Sequence, residues 1–401
     1  MDPAADCPAT GNECVVAVCE GGVCGQENVA QGTPLASQPV GGCNEVQCDG
    51  NGGTVEVPLA EQTPCTEGGG ELCNGAGVCV ECLSGVDCAS GVCGNANLCV
   101  SCGAIDVPAS PPSCQSGAPG AGSNCGTSGN VSCCENKLVP CGTYKRSYDG
   151  VNYTDASNTA TVSYFRLDTY ELTVGRFRAF VNAGQGTQAS PPGAGAGEHP
   201  KIPGSGWDPR WNGNLAADVA ELKSGLHCDG TFGTWTDLPG GSEKLPINCI
   251  DWYQAFAFCA WDGGRLPTEA EWNYAAAGGA EQREYPWGSG VDGTRAVYGC
   301  TDDGSPGCAF SDILPVGSKS PNGDGLWGQA DLAGSMWEWT RDGYDDYLSN
   351  CNDCAGASAP GRVIRGGSFG GDASFLHAAF RNYDVPTDRS NVIGARCART
   401  R

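Results

Sequence analysis

The stretch Gly334-Ser335-Met336-Trp337-Glu338-Trp339-Thr340 places two tryptophans on either side of one carboxylate. This alternation is the spacing of a β-strand, and it favours packing of Trp337 and Trp339 in a core over a role as a ligand platform. Three further runs accompany the stretch: Gly264-Arg265-Leu266-Pro267-Thr268-Glu269-Ala270-Glu271-Trp272, Arg362-Val363-Ile364-Arg365-Gly366-Gly367-Ser368-Phe369 and Ile393-Gly394-Ala395-Arg396-Cys397-Ala398.

The order of these four runs resembles the formylglycine-generating-enzyme family, the sulfatase-modifying-factor domain, over residues 137–401. The resemblance implies an α+β fold that is irregular, rich in loops and C-type-lectin-like. Glycine is frequent after Gly278, which agrees with such a fold because glycine makes long regular elements improbable.

Local patterns predict a few regular elements within this domain. The β-branched and aromatic run 161–167 is typical of a strand. Thr173 is placed to cap a helix, a second helix fits Trp252 to Trp261, and a third opens at Thr268, where Glu271 completes a capping box.

Cysteine is concentrated before this domain. Residues 1–141 hold 19 of the 27 cysteines, in loops too short to build a normal hydrophobic core. Cross-links would supply the order by restricting the unfolded chain. We therefore predict a disulfide-stapled repeat region at 1–102, a linker rich in Pro, Gly and Ser at 103–136, and one domain at 137–401.

A weak internal repeat is visible in the first region. Cys14-x4-Cys19 matches Cys43-x4-Cys48 at an offset of 29 residues. Such a module can serve adhesion or ligand binding, but a stalk or spacer without a ligand is the favoured interpretation.

The charge of the chain excludes some classes of partner. The net charge is −24, and residues 1–136 contain 15 Asp and Glu without a single Lys or Arg. Such a surface repels phosphate backbones, so we expect no nucleic-acid binding. No apolar run approaches the length of a membrane span either.

The cysteine content also indicates the compartment. Many cysteines in a Lys-poor, Gly-rich chain favour disulfides and an oxidising environment, hence a secreted or cell-surface protein whose signal or anchor is not in this sequence. Zinc is the weaker alternative, since C-x-x-C spacing occurs at Cys79/Cys82, Cys99/Cys102 and Cys351/Cys354. The odd total leaves at least one thiol unpaired within the chain.

The resemblance implies a catalytic pair of cysteines shortly after Ser368, and this pair is missing. Two thiolates bind Cu(I) in the family's oxidases, as suits soft sulfur ligands. By alignment the two positions fall near Gly371 and Leu376, and no cysteine occurs anywhere between Ser368 and Arg396. No copper is therefore expected, and His377 alone cannot replace two thiolates.

Polar residues of the same segment are candidates for a different pocket. Ser368 matches the serine that lines the oxygen pocket in the oxidases, although a structural role in a turn is favoured here. A family member with divergent oxidative chemistry would bring together several of Asp372, Ser374, His377, Arg381 and Asp384.

The resemblance further implies a structural calcium and a disulfide. Calcium would be held by the backbone carbonyls of Ala333, Gly334 and Met336 and by the carboxylate of Glu338, which are the hard oxygen ligands it prefers. A salt bridge from Glu338 to Arg341 or Arg365 is the alternative. The disulfide would join Cys259 to Cys397; local bridges Cys300–Cys308, Cys351–Cys354 and Cys228–Cys249 are also compatible with the sequence.

Taken together, the favoured function is binding or structure. A fold of this family without the copper thiolates would recognise a protein, peptide or glycan through the loops around Phe369–Asp384. An enzyme with a divergent site is the alternative, and a variable receptor-type binding domain is a third possibility.

Overall fold

The computed structural model describes residues 7–83, 87, 110–115, 125–302, 304–349, 351–356 and 359–399. The chain divides into two compact units, Met1–Ser101 and Cys102–Arg401. Within the described residues, no helix combines the length and the apolar character required to span a bilayer.

The described residues of the first unit contain three antiparallel hairpins. They pair β1 (Val15–Glu20) with β2 (Val23–Asn28), β3 (Asn44–Cys48) with β4 (Thr54–Pro58), and β5 (Leu72–Cys73) with β6 (Cys79–Val80). The strands β2 and β4 are exposed along their whole length, so these small sheets bury little apolar surface.

Disulfides connect consecutive hairpins of this unit. Cys14 bonds forward to Cys48 in the second hairpin, and Cys43 bonds forward to Cys73 in the third. The sequence repeat thus corresponds to a repeated hairpin with a repeated cross-link, and the cross-links supply the order that a core would otherwise provide. Cys19 is a free thiol.

The second unit carries four α-helices in its described residues: α1 (Val174–Asn182), α2 (Val219–Leu226), α3 (Trp252–Trp261) and α4 (Glu269–Ala276). Three of them were predicted, with Thr173 and Thr268 as caps and the Thr268–Glu271 capping box present. The helix α2, capped by Asp218, was not predicted although Leu222 and Leu226 are its buried residues.

In the part of this unit that the structure describes there are also ten short strands: β7 (Asn136–Val139), β8 (Gly142–Lys145), β9 (Thr159–Val162), β10 (Phe165–Asp168), β11 (Trp337–Gly343), β12 (Cys351–Asn352), β13 (Arg362–Arg365), β14 (Asn382–Asp384), β15 (Ile393–Gly394) and β16 (Ala398–Arg399). They form three small sheets with the strand orders β16-β10-β7, β14-β13-β11-β15 and β12-β9-β8. The result is the expected irregular, loop-rich α+β fold.

The prediction of one strand over 161–167 was wrong. The run divides into β9 and β10, which belong to different sheets. The break falls at Ser163, whose backbone N–H and hydroxyl both donate to the Asp353 carboxylate, at 2.6 and 2.7 Å. This distant partner is invisible in the local pattern.

Part of the segment expected to be a linker belongs to the second unit. Ser113 is fully buried, donates its N–H to Asp262 at 2.9 Å and accepts a hydrogen bond from Arg176 at 3.2 Å. The neighbouring cysteines Cys133 and Cys134 bond outward to Cys125 and Cys114, as expected for a vicinal pair.

The main core of this unit gathers aromatic side chains from α1, α3 and β11. Phe177, Phe258, Trp252 and Trp339 are fully buried in it. This confirms the prediction of core packing for Trp339, and Trp337 lies in the same cluster with 6% exposure.

Candidate functional site

The strand β11 carries a buried charge at the centre of the domain. Glu338 accepts hydrogen bonds from Arg396 Nε, at 2.9 and 2.7 Å to its two oxygens, and from Arg396 Nη2 at 2.6 Å. Trp272 Nε1 donates a further bond at 2.8 Å. Neither Arg341 nor Arg365, the partners considered from sequence, contacts this carboxylate: Arg341 binds the carbonyl of Ser205 and Arg365 binds Glu269.

Two more carboxylates lie close to this pair and are buried as well. Glu171 accepts from the Ser335 hydroxyl at 2.7 Å and from the Met336 N–H at 2.9 Å. Its pKa is raised well above the ordinary value by burial and by the negative charges of Asp331 and Glu338. Burial raises the pKa of Asp331 to about 6, although the Gly317 N–H and the charge of Arg396 oppose this shift.

Three carboxyl groups therefore lie near one guanidinium inside the protein, and a hard cation would take the place of the protons that the raised pKa values of Glu171 and Asp331 indicate. The fit differs from the expected ligand set, because both Glu338 oxygens are already bonded to Arg396. The sequence alignment did not single out Asp331 or Glu171, which supply the additional carboxylates.

The backbone of the same loop is tightly constrained at Gly334. Its φ is +86°, and a Cβ at this position would lie 2.3 Å from the carbonyl oxygen of Val297. Only glycine fits such a position. Ala333 and Met336, the other predicted carbonyl ligands, are both buried beside it.

The segment after Ser368 is closed by apolar packing at the positions expected to hold thiols. Ser368 is buried, and its carbonyl accepts the Gly371 N–H at 3.0 Å, which makes a turn. A Cβ on Gly371 would lie 3.4 Å from the ring of Phe375 and 3.3 Å from the Ser368 hydroxyl oxygen. Leu376 is 1% exposed and packs with Tyr285 and Ala333.

The polar candidates of this segment do not form one pocket. Asp372 is exposed and caps the short turn by accepting the Ser374 N–H, and Asp384 accepts the N–H of Val385. Arg381 lies against Glu269, with Nε 2.8 Å from Oε1. His377 instead stacks on Tyr285, with ring centroids 4.7 Å apart.

The structure contains the disulfide that the resemblance implies between Cys259 on α3 and Cys397 before β16. It also contains Cys228–Cys249, Cys300–Cys308 and Cys351–Cys354. Cys79 bonds to Cys65, so two of the C-x-x-C spacings do not hold zinc, and the third, Cys99/Cys102, lies outside the described residues.

The irregular, loop-rich α+β domain and the motifs on β11, β13 and β15 define a class of protein. The chain belongs to the family of the sulfatase-modifying factor enzyme 1-like domain, whose sequence model matches residues 125–401.

Individual relatives include proteins named formylglycine-generating enzyme and proteins named inactive. A protein of Streptomyces coelicolor named formylglycine-generating enzyme is 32% identical over 260 residues, which cover 60% of this chain and 80% of that enzyme. A Bos taurus protein named inactive C-alpha-formylglycine-generating enzyme 2 is 36% identical over 171 residues, which cover 40% of this chain and 52% of that protein. Among solved structures, PvdO from Pseudomonas aeruginosa is similar at 20% identity with a TM-score of 0.44, covering 66% of this chain and 94% of that one.

Proposed function

We propose that this is an extracellular or cell-surface binding or structural protein that does not generate formylglycine. One observation carries the proposal: no cysteine stands between Ser368 and Arg396, and Leu376, near one of the expected thiol positions, is buried in an apolar cluster. Two thiolates are the soft ligands that bind Cu(I) in the family's oxidases, and the segment after Ser368 does not supply them. The similarity to a relative named inactive supports the same view.

An aromatic patch beside the predicted recognition loops supports a binding role. The rings of Tyr344 and Tyr383 lie 4.6 Å apart and are 37% and 54% exposed. The Arg381 guanidinium lies 4.4 Å from the Tyr344 ring centroid and 4.3 Å from that of Tyr347. Exposed tyrosines beside an arginine suit contact with a protein, a peptide or a glycan.

The central test is an assay for formylglycine. The protein is incubated with Cu(I), oxygen and a Cys-x-Pro-x-Arg peptide, and the peptide mass is followed by mass spectrometry. We expect no conversion, whereas the Streptomyces coelicolor relative, assayed in parallel, serves as the positive control. Conversion of the peptide cysteine to an aldehyde would overturn the proposal.

The recognition surface has its own test. Binding to an array of glycans and peptides is measured for three proteins. These are the wild type, the double variant with Tyr344→Ala and Tyr383→Ala, and the control variant Leu238→Ala. Leu238 is 78% exposed and controls for loss of an unrelated apolar side chain. We expect bound signals to disappear only in the double tyrosine variant; signals that survive it would place recognition elsewhere.

We also propose that the loop 331–338 holds a structural calcium ion. The support is the burial of three carboxyl groups, Glu171, Asp331 and Glu338, near the single Arg396. Calcium would take the place of the protons that the raised pKa values of Glu171 and Asp331 indicate, and it would take hard oxygen ligands from this loop, among them the carboxylate of Asp331.

A further inference from the structure

His377 lies in a cluster of side chains that neither the fold motifs nor the proposed binding role explains. Its ring is held between Tyr285, stacked at 4.7 Å, and Tyr153, edge-on at 5.7 Å between centroids. The Nδ1 atom lies 3.7 Å from Oδ2 of Asp149 and 3.9 Å from Oε1 of Glu284. One imidazole nitrogen thus lies between two carboxylates.

Asp149 is fixed so that one oxygen faces this imidazole. Its Oδ1 accepts three backbone N–H groups, from Val151, Asn152 and Tyr153, at 2.8 to 2.9 Å. Its Oδ2 is buried without a hydrogen-bond partner, and the Asp149 side chain has no exposed area. His377 Nδ1 is likewise buried without a hydrogen bond.

The distance between His377 Nδ1 and Asp149 Oδ2 is that of a bridged pair rather than of a direct hydrogen bond. At 3.7 Å the imidazole and the carboxylate are too far apart for a hydrogen bond. Two donors bound to one zinc ion at about 2.0–2.2 Å in tetrahedral geometry lie about 3.3–3.6 Å apart. The observed spacing therefore comes close to that between two ligands of a common ion.

We propose that His377 Nδ1, Asp149 Oδ2 and the Glu284 carboxylate form a binding site for a zinc-type divalent cation, with water completing the coordination. One imidazole with two carboxylates is a donor set that zinc accepts, and calcium, which prefers oxygen ligands alone, does not favour it. The site is separate from the loop 331–338 and does not depend on the proposed binding role.

Glu284 turns towards the imidazole when the ion binds. In the present side-chain positions the three donor atoms do not all lie within 4.8 Å of one another. Among the described residues, only the sulfurs of Cys43, Cys65 and Cys73 lie that close together, and these cysteines are disulfide-bonded. The Glu284 side chain is 21% exposed, and Asn152 Nδ2 binds it at 3.0 Å near the surface. Its backbone carbonyl accepts the Ala378 N–H at 2.9 Å, which fixes it beside His377.

The tyrosine contacts give the imidazole the support that metal ligands need. Tyr285 Oη lies 3.4 Å from His377 Nε2, the other ring nitrogen. In the tautomer in which Nε2–H donates to this oxygen, Nδ1 carries the lone pair that coordinates an ion.

The test uses Co²⁺ as a spectroscopic substitute for zinc. The full chain is freed of metal by a chelator and titrated with Co²⁺ in excess Ca²⁺, which occupies sites made of oxygen alone. We expect one equivalent of bound Co²⁺ with visible absorption bands, displaced by Zn²⁺. The variants His377→Gln and Asp149→Asn should each weaken binding at least 10-fold.

The controls separate this site from adventitious histidine binding. His227 also has a nearby carboxylate, with Nε2 3.5 Å from Asp237 Oδ1, but it lacks the second one. His227→Gln should bind Co²⁺ as the wild type does. Asp149→Asn keeps the oxygen that accepts the three N–H groups, and Glu284→Gln changes a side chain that is partly exposed. Both variants should therefore fold, and near-UV circular dichroism would verify this. Absence of Co²⁺ binding, or binding unchanged in His377→Gln, would overturn the proposal.

Discussion

Arg396 and Glu338 form a bidentate ion pair in the interior, with Arg396 Nε 2.7 Å and Nη2 2.6 Å from the carboxylate oxygens. Both side chains are at most 1% exposed. The pair joins the segment before β16 to β11, so it links two of the sequence motifs directly. Its neighbours Glu171 and Asp331 make the arginine the local counter-charge for three carboxylates.

Arg396→Met should destabilise the fold strongly, because it leaves buried carboxylates without their cation. We expect the free energy of unfolding to fall by about 3–5 kcal/mol, measured by urea denaturation. Replacing both partners, Arg396→Met with Glu338→Leu, should cost less than the single change. Arg210 forms an exposed ion pair with Asp208, so Arg210→Ala is the control and should leave the urea midpoint unchanged. If Arg396→Met and Arg210→Ala shifted the urea midpoint equally, the expectation would be wrong.

Calcium should raise the thermal stability of the protein. Saturation at 100-fold over the dissociation constant adds about 2.7 kcal/mol, a shift of several degrees in Tm for a domain of this size. Asp331→Asn should remove most of the shift, and a surface change, Asp388→Asn, should preserve it. A Tm that is the same in calcium and in a chelator would rule out a structural ion in the loop 331–338.

Asp251, the cap of α3, should give a pH-dependent contribution to stability. Burial raises its pKa to about 6, although Arg389 and backbone N–H groups oppose the shift. The folded protein then holds this proton more tightly than the unfolded chain, so the contribution is full below pH 4 and is lost as pH rises to about 6.

Comparison with Asp251→Asn isolates this effect, since asparagine also caps helices and does not titrate. Relative to the variant, the wild type should lose about 2 kcal/mol of unfolding free energy between pH 4 and pH 7, measured by urea denaturation at each pH. A difference that is constant across this range would show that Asp251 is ionised throughout in the folded state.

The Cys259–Cys397 disulfide should stabilise the domain more than a local bridge does, because it closes a much longer loop. Its cysteines are 138 residues apart in sequence, against 3 for Cys351–Cys354. The chain-entropy model gives losses of about 5 and about 2 kcal/mol for replacing each pair by alanine. Urea midpoints of the two double variants, with native mass spectrometry to verify the remaining bridges, would measure the difference.

Local patterns predicted the helices well and the long-range partners poorly. Caps such as Thr173 and Thr268 act within one turn, so the sequence carries their signal. Ser163 breaks a run of strand-forming residues because Asp353, 190 positions away, binds it. Secondary-structure propensity depends on neighbouring residues and does not reflect a contact between such distant positions.

The candidate sites likewise divide into features that the sequence predicts and features that only the structure shows. The lack of cysteines between Ser368 and Arg396 could be established from sequence alone, because the residues present in a segment do not depend on the fold. The partner of Glu338 could not, because Arg341 and Arg365 are nearer in sequence than Arg396 and only the parallel pairing of β11 with β15 brings the right segment close.

The sequence by itself determined the family, the α+β domain, the cysteine-rich first unit and the absence of a thiol pair after Ser368, because each follows from residue identity and order. Only the tertiary structure decided which charges meet. Glu338 pairs with Arg396, Asp331 and Glu171 crowd the same interior, and His377 faces Asp149 and Glu284. Interactions between charges depend on distance and burial, and those are set by the packing of segments far apart in the chain.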